Sequence, residues 1–227
     1  KLTVFCAAAC LAASAAAQNH PDLHEVLDRQ KGRNLIEIPK GTYTLDVRSN
    51  GPYKFHNLTD VHINGNGSTV ICNNQEQAFS FYNCVRVELR DLTIDYDPLC
   101  FTQGEITAVA EDGSWFDVRI DEGYPVTGLA ANRVQFYDPQ TRLLKRNSIT
   151  TYTSNYSALK QLGHNLFRAV KNGTWSAGEQ VGDLVGMDVK TDKPNAGVHT
   201  VMLNKCYNTK LENVTVYGSN TFSFFEK

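Results

Sequence analysis

The chain has 227 residues, 41% of them hydrophobic, which is enough to build a buried core and excludes a disordered chain. Its 22 Lys and Arg nearly balance its 24 Asp and Glu, so no strongly basic character favours a phosphate backbone, and we expect no nucleic acid partner. The 16 Gly, 10 Tyr and 11 Phe, against 2 Met, favour strands and turns over helices.

The first residues form a short apolar run behind one lysine, followed by small residues up to Ala17. This pattern is typical of a cleavable secretory signal peptide covering residues 1–17, and it predicts cleavage between Ala17 and Gln18. The run is shorter than the roughly 20 residues that a membrane span requires, so we expect no membrane span. The sequence therefore predicts an exported protein, either secreted or periplasmic.

Residues 21–32 predict one short amphipathic helix. Pro21 stands near its start, Leu23, Val26 and Leu27 are its apolar positions, and Gly32 takes the stop position. Almost all of the remaining chain shows the alternation and turn signals of strands. We therefore expect an all-β fold that this helix caps at the front.

Three segments of the chain resemble one another, at residues 55–63, 81–89 and 203–211. Each starts with a large apolar residue and ends in an alternation that reaches an aliphatic residue. A shorter copy at 35–45 carries Ile38, which lies 25 positions before Ile63, and Ile63 lies 26 positions before Leu89. A repeat of this length is one coil of a parallel β-helix, in which each turn of chain lays its strands on those of the previous turn.

The alternation within the repeats also predicts which side chains point inward. The expected inward stacks contain Val61, Ile63, Val87, Leu89, Thr209 and Leu211. Cys84 and Cys206 occupy matching small inward positions, which favours stacked free thiols over a disulfide between them. Asp91 and Asn213 match at a turn and are expected to shape it.

The spacing from Leu89 to Leu211 is 122 positions, and one coil of about 25 residues leaves roughly 97 extra residues. This excess predicts a separate unit at 97–197, inserted between coils, with hairpin signals such as 105–109 followed by 115–120. About six strands suit a small antiparallel β-barrel or sandwich, and barrel closure would remove exposed strand edges. We therefore expect an inserted small antiparallel β-barrel.

This organisation divides the chain after the predicted signal peptide into three parts. They are a cap helix with the first β-helix coils at 18–96, the inserted unit at 97–197, and further β-helix at 198–227. An open last coil leaves apolar side chains uncovered, so we expect the β-helix to continue past Lys227.

The run from Ile38 to Tyr43 resembles the opening coil of pectin-lyase-like right-handed parallel β-helices. The stretches 92–104 and 118–126 resemble the β-helix glycosidases of glycoside hydrolase family 110 and their relatives. This resemblance implies a right-handed parallel β-helix with a β-barrel inserted among its first coils, and hydrolysis of terminal α-1,3-linked galactose with inversion. It also implies that the catalytic carboxylates lie on later coils, beyond Lys227.

Within the chain, the candidate catalytic carboxylates are Asp95, Asp97 and Glu226. An inverting glycosidase needs an acid and a base about 6.5–9.5 Å apart, and two residues spaced i, i+2 on a strand, as Asp95 and Asp97 are, share a face. The alternative is that this pair consists of solvated turn residues. Gln103 and His199 are candidates for hydrogen bonds to sugar hydroxyls, with plain surface roles as the alternative.

We expect an oligosaccharide or polysaccharide substrate, no cofactor and no resident metal ion. Two other hypotheses remain open. One is a calcium-dependent polysaccharide lyase, whose ion would be held by Asp91, Asp95 and Asp97. The other is a non-catalytic glycan-binding β-helix. Aromatic residues of the insert are either sugar-stacking platforms or core residues: Trp115, Tyr124, Tyr137, Tyr152, Tyr156 and Trp175.

Overall fold

The computed structural model of the protein describes residues 20–146, 151–152, 155–173, 176, 178–189, 199–219 and 221–227. Nearly all regular structure in them is β, arranged as stacked parallel coils plus an antiparallel sheet. The predicted all-β fold, a parallel β-helix with an antiparallel insert, is confirmed. The predicted signal peptide lies outside the described residues.

Two short helices lie in the first part of the described chain. Helix α1 spans Leu23–Asp28 and begins at Asp22, whose carboxylate accepts a hydrogen bond from the backbone N–H of His24 at 3.0 Å. Its Leu27 is buried in the β-helix core, as the apolar face of the predicted helix requires. Helix α2 spans Val47–Asn50.

Sixteen strands account for the β structure of the described residues. Those before the insert are β1 Leu35–Glu37, β2 Thr42–Leu45, β3 Tyr53–His56, β4 Thr59–Cys72, β5 Phe79–Tyr82 and β6 Val85–Tyr96. Those of the insert are β7 Phe101–Val109, β8 Trp115–Ile120, β9 Leu129–Tyr137, β10 Thr151–Tyr152, β11 Tyr156–Gln161, β12 Leu166–Lys171 and β13 Leu184–Val189. Those after it are β14 Val201–Asn204, β15 Lys210–Val216 and β16 Phe224–Glu226.

Two parallel sheets form the walls of the β-helix. One has the order β1-β4-β6-β15, with β2 also paired to β4, and the other has the order β16-β14-β5-β3. Ile63 pairs with Leu89, and Leu89 pairs with Leu211 across the whole insertion. The predicted spacing of 26 and 122 positions is therefore the true register of these coils.

The register of the first coil differs from the prediction by two residues. Ile36, and not Ile38, pairs with Ile63, while the N–H of Ile38 donates to the carbonyl of Asn64 at 2.9 Å. Because side chains alternate with a period of two, a shift of two residues keeps the same face inward. Both isoleucines are accordingly buried.

Backbone bends recur with the same spacing as the coils, and several of them lie inside the strands. Non-glycine residues adopt a positive φ at three sets of matching positions: Asn57, Asn83 and Lys205; Asp60, Arg86 and Asn208; Asp91 and Asn213. Asn and Asp tolerate this left-handed conformation best among residues with a side chain. The amide of Asn213 donates to the carboxylate of Asp91 at 3.0 Å, and the two residues bend the backbone inside strands β15 and β6 rather than in the separate turn that the sequence predicted.

All four cysteines of the described residues are free thiols. Cys84 is buried in the β-helix, and its carbonyl accepts a hydrogen bond from the N–H of Tyr207 at 2.8 Å, which places Cys206 beside it in the next coil, packed against the same core. Burial raises the pKa of Cys84 above its ordinary value. The predicted stack of free thiols is therefore present.

The insert is a seven-stranded antiparallel sheet with the order β10-β9-β13-β7-β8-β12-β11. Its end strands β10 and β11 follow one another in sequence, and β11 also lies against β9, so the sheet curls around its apolar face. The described strands of the unit predicted at 97–197 run from Phe101 to Val189. The N–H of Val189 donates to the carbonyl of Cys100 at 3.0 Å, so the chain returns beside the point where it left the β-helix.

Candidate functional site

Three neighbouring strands of the insert, β9, β13 and β7, turn one face inward and the other outward. The inward side chains pack in the insert core, among them Ile106, Val134, Phe136, Val185 and Met187. The alternating positions point away from that core: Phe101, Gln103, Arg133, Gln135, Tyr137, Gly186 and Asp188. This outer face is therefore polar and aromatic.

Strand register places specific side chains of this outer face beside one another. Gly186 of the central strand pairs with Gln103 on one side and with Gln135 on the other. Same-face partners on adjacent strands lie about 4.5–5.5 Å apart, so the two glutamines flank a position that has no side chain. Asp188 of the same strand pairs with Phe101.

A groove of about 520 Å³ lies where this outer face meets the β-helix. The insert contributes Arg133, Gln135, Tyr137 and Asp188, and the β-helix contributes His199 and Phe222. A cleft of this size, with aromatic walls and a few convergent polar groups, is typical of sites that bind small molecules.

His199 lies in the β-helix wall of the groove, directly before β14. Its ring stacks on Phe225 with centroids 4.2 Å apart, and its Nδ1 lies 2.8 Å from the hydroxyl oxygen of Thr221. The residue is 8% exposed, so these two contacts fix the orientation of the imidazole. The sequence-based candidate His199 is therefore held rigidly at the groove.

The insert wall carries a carboxylate and a guanidinium. The Oδ1 atom of Asp188 accepts a hydrogen bond from the backbone N–H of Arg133 at 2.9 Å, across the bulge between β13 and β9. This bond holds the carboxylate at the strand junction, where it lines the groove beside the exposed Arg133. The site therefore offers groups of both charges to a ligand.

Tyr137 provides an aromatic surface in the same wall. Its hydroxyl donates to the side-chain oxygen of Gln135 at 2.9 Å, which ties the ring to the next outward position of its own strand. Burial raises the pKa of Tyr137 above its ordinary value, so the phenol stays neutral. The neutral ring is suited to stacking on the apolar face of a sugar.

Cys100 is a further lining residue of the groove. Burial raises the pKa of this thiol to about 11, and the charges of Asp188 and Asp95 act in the same direction. The thiol donates to the carbonyl of Gly218 at 2.7 Å. Cys100 is therefore a protonated packing residue and not a nucleophile.

A line of hydroxyl groups runs from the groove into the β-helix core. The hydroxyl of Ser219, which lines the groove, lies 2.9 Å from that of Thr200, which lies 2.9 Å from the phenol of Tyr96. Tyr96 also donates to the carbonyl of Glu76 at 2.9 Å. These bonds fix the floor of the groove to buried structure.

A second depression of about 210 Å³ adjoins the groove on the outer face of the insert. Gln103, the other sequence-based candidate for sugar binding, lies in it and donates from its amide to the carboxylate of Asp121 at 3.1 Å. Phe101, Tyr137 and Gly186 line both depressions. The structure thus brings Gln103 and His199, which lie 96 positions apart in sequence, into two adjoining pockets.

The three candidate carboxylates lie elsewhere. Asp95 is half-buried, and its Oδ1 accepts a hydrogen bond from the N–H of Tyr96 at 2.8 Å. Asp97 is exposed in the turn after β6, and Glu226 is exposed on β16. None of the three is among the residues lining either pocket.

The aromatic residues of the insert divide between the two roles that the sequence left open. Tyr137 lines the groove, whereas Tyr156 is buried in the insert core and Trp115 stacks with the guanidinium of Arg168, 3.5 Å from its ring centroid. Tyr124 packs against Phe101. Trp175 and the side chain of Tyr152 lie outside the described part of the chain.

Sequence reasoning did not single out Arg133, Gln135, Gly186 and Asp188. The available signal was the alternation in the segments 133–137 and 184–188, where every second residue is apolar. The alternation predicts that the residues between the apolar ones point outward, but it does not predict which strands are neighbours in the sheet. The groove depends on that order of strands.

The described residues contain no group of three or more His, Cys, Asp or Glu side chains placed to hold a metal ion. The carboxylate of Asp91 accepts a hydrogen bond from the amide of Asn213. In the same part of the chain, neither helix has the length and hydrophobicity to cross a bilayer.

Comparison with known proteins gives no assignment. No protein-family model matches the chain, and a search of curated protein sequences finds no significant match.

Proposed function

We propose that this protein is an exported glycoside hydrolase acting on galactose-containing glycans, and that the groove between the insert and the β-helix binds the sugar. The observation that carries the proposal is the lining of the groove, where Tyr137 lies beside amide, guanidinium and carboxylate groups. Sugars present an apolar ring face and a rim of hydroxyls, which need an aromatic surface and planar hydrogen-bonding groups respectively. The sequence resemblance to β-helix glycosidases supports the same class.

The proposed reaction is an inverting displacement by two carboxyl groups. One carboxylic acid protonates the leaving oxygen while a carboxylate activates water on the opposite face of the sugar. Within the described residues of the groove, Asp188 is the carboxylate in position to contact a bound sugar. It is therefore the first residue to test by Asp188→Asn, which keeps the acceptor for the N–H of Arg133 but removes the charge.

Glycan binding without turnover is the second candidate function. It is favoured by the lining of the two pockets, because the described residues supply one carboxylate to each, Asp188 and Asp121. A sugar can be held by such groups without being hydrolysed. The two functions share the groove and differ in product.

The first experiment measures binding by calorimetry with galactose-terminated oligosaccharides. We expect Tyr137→Ala to weaken binding by about tenfold or more, the equivalent of ~1.4 kcal/mol, because the stacking surface is lost. Tyr207→Ala is the matched control, since Tyr207 is 72% exposed on the β-helix, away from the groove residues. Absence of binding to every glycan on a broad array would contradict the proposal.

The second experiment identifies the product by proton NMR. Release of galactose with inverted anomeric configuration supports the hydrolase, and binding with no turnover supports the glycan-binding function. An unsaturated product that absorbs in the ultraviolet, and that no longer forms when a chelator is present, would instead show a calcium-dependent lyase.

A further inference from the structure

The second pocket is continuous with the groove rather than separate from it. Three residues, Phe101, Tyr137 and Gly186, line both. With about 210 Å³, the second pocket is smaller than the roughly 300–1,000 Å³ of pockets that hold a whole ligand. It is therefore suited to one part of a ligand that begins in the groove.

The passage between the two pockets runs over Gly186, and this glycine is not required by its backbone. Its φ is not positive, and a β-carbon built on it would lie 3.5 Å from the nearest atom, Cε2 of Tyr137, an ordinary contact. A small side chain would therefore fit the strand. What the glycine provides is open space on the outer face, between Gln103 and Gln135 on the adjacent strands.

The charges along the two pockets indicate the kind of ligand. The groove has Arg133 and Asp188, and the second pocket has Arg142 and Asp121. Each pocket therefore contains one guanidinium and one carboxylate. A strongly acidic ligand would meet a carboxylate in both pockets. A neutral polyhydroxylated ligand can donate to the carboxylates and accept from the guanidinium groups.

We infer that the two pockets are adjoining subsites for a neutral oligosaccharide, whose linked units pass over Gly186 between Gln103 and Gln135. The inference rests on the proposed function, because it requires that the groove bind a sugar. It adds that the second pocket binds the next unit through Gln103, Asp121 and Arg142, and that the ligand is longer than one sugar. Phe101 and Tyr137 border both units.

The test compares calorimetric titrations with galactose and with a neutral galactose-terminated tetrasaccharide. We expect the tetrasaccharide to bind at least about tenfold more tightly than galactose, because it fills both pockets. Arg142→Ala should remove this gain and leave the affinity for galactose unchanged. Gly186→Leu should reduce the gain by narrowing the passage. Because Gly186 also lines the groove, this variant is judged by the ratio of the two affinities.

Two control positions lie at the far side of the insert, on β11 and in the loop that follows it. Gly163→Leu changes an exposed glycine whose φ is also not positive, and Gln161→Ala removes an exposed polar side chain outside both pockets. Neither should alter the dependence on chain length. If Gly186→Leu does not fold, Gly186→Ala and Arg142→Ala are the variants to test. The β-carbon of Gly186→Ala would make only an ordinary contact with Tyr137, and Arg142 lies on an exposed loop.

The outcomes separate the two proposals. Binding of galactose with no gain for the tetrasaccharide, or an equal effect of Arg142→Ala on both sugars, overturns the second subsite and leaves the sugar-binding groove in place. Binding of neither sugar overturns both. A gain that Arg142→Ala abolishes with galactose binding retained, and that Gly186→Leu reduces relative to galactose binding, supports the inference.

Discussion

The β-helix and the insert are both built from strands, but their strands pair in different ways. In the β-helix, matching residues of successive coils pair in parallel, so that Val61 lies beside Val87 and Phe55 stacks on Phe81 with centroids 4.7 Å apart. In the insert, unlike residues meet in antiparallel strands, and Phe116 meets Phe136 edge to face at 5.5 Å. Repetition builds a uniform wall, whereas the irregular insert supplies most of the side chains of the candidate site.

The two regions also have separate cores. The buried residues of the β-helix form one cluster, which includes helix α1, and those of the insert form another. The chain enters and leaves the insert side by side, through β7 and β13, so the coils stack on either side of it without distortion. The groove lies on the outer face of one unit and against the wall of the other.

The largest effect is expected from Phe81→Ala in the β-helix core, where the ring is fully buried. The cavity and the lost stacking on Phe55 should lower the free energy of unfolding by about 3–5 kcal/mol. Chemical denaturation measures the loss, and hydrogen exchange shows where it falls. If the cores are independent, protection decreases in the β-helix first; Phe116→Ala should give the reverse pattern, and a uniform decrease in both variants would contradict separate cores.

A comparable effect is expected from the buried ion pair of the insert. The Lys171 ammonium contacts the carboxylate of Glu179, and their side chains are 0% and 1% exposed. Glu179→Leu leaves a buried positive charge and should cost about 3 kcal/mol or more. Thermal denaturation should show that the double variant Lys171→Met, Glu179→Leu is more stable than Glu179→Leu alone. A double variant less stable than the single one would show that the charge of Lys171 is needed for another contact.

A smaller effect is expected at the start of helix α2, in the first part of the β-helix. Asp46 accepts hydrogen bonds from the amide of Asn73 at 2.7 Å and the N–H of Ser49 at 3.0 Å, which hold its pKa below the ordinary value of 3.8. Asp46→Ala should cost about 1 kcal/mol at neutral pH.

The same interaction sets a pH dependence. Because the pKa of Asp46 is lowered in the folded state, its stabilisation is present above pH 3.8 and is lost as the pH falls through the folded value. The difference between wild type and Asp46→Ala in denaturant titrations should therefore shrink below that pH. A difference that stays constant into acid would exclude the carboxylate as its source.

The smallest effect is expected on the outer face of the insert. Gln103→Ala should change the free energy of unfolding by no more than about 0.5 kcal/mol, because the side chain is half-buried and its amide contacts only the exposed Asp121 among the described residues. A larger loss in chemical denaturation would show that Gln103 supports the fold and would weaken its assignment to a ligand.

Sequence reasoning succeeded where the chain repeats. The matching segments around Ile63, Leu89 and Leu211 gave the coil register, because each coil must place the same face inward to stack. It was two residues off at Ile38, since the strand of the first coil ends before the turn at Pro39 and a shift of two preserves the inward face. It also named His199 and Gln103, which lie in the two adjoining pockets.

The remaining residues of the site could not be found in this way. Arg133, Gly186 and Asp188 come from antiparallel strands that have no sequence repeat to align, so nothing in the chain showed that β13 lies between β9 and β7. The sequence predicted that Asp95 and Asp97 share one face of a strand. Strand β6 ends at Tyr96, however, and Asp97 lies in the turn that follows.

The sequence alone determined the β-helix, its coil length and the position of the insert. These follow from local alternation and from a repeat that each coil must obey. Only the tertiary structure decided the order of the insert strands, the side of the insert that meets the β-helix and the two pockets on that side. Those depend on pairings between distant segments, which no local pattern specifies.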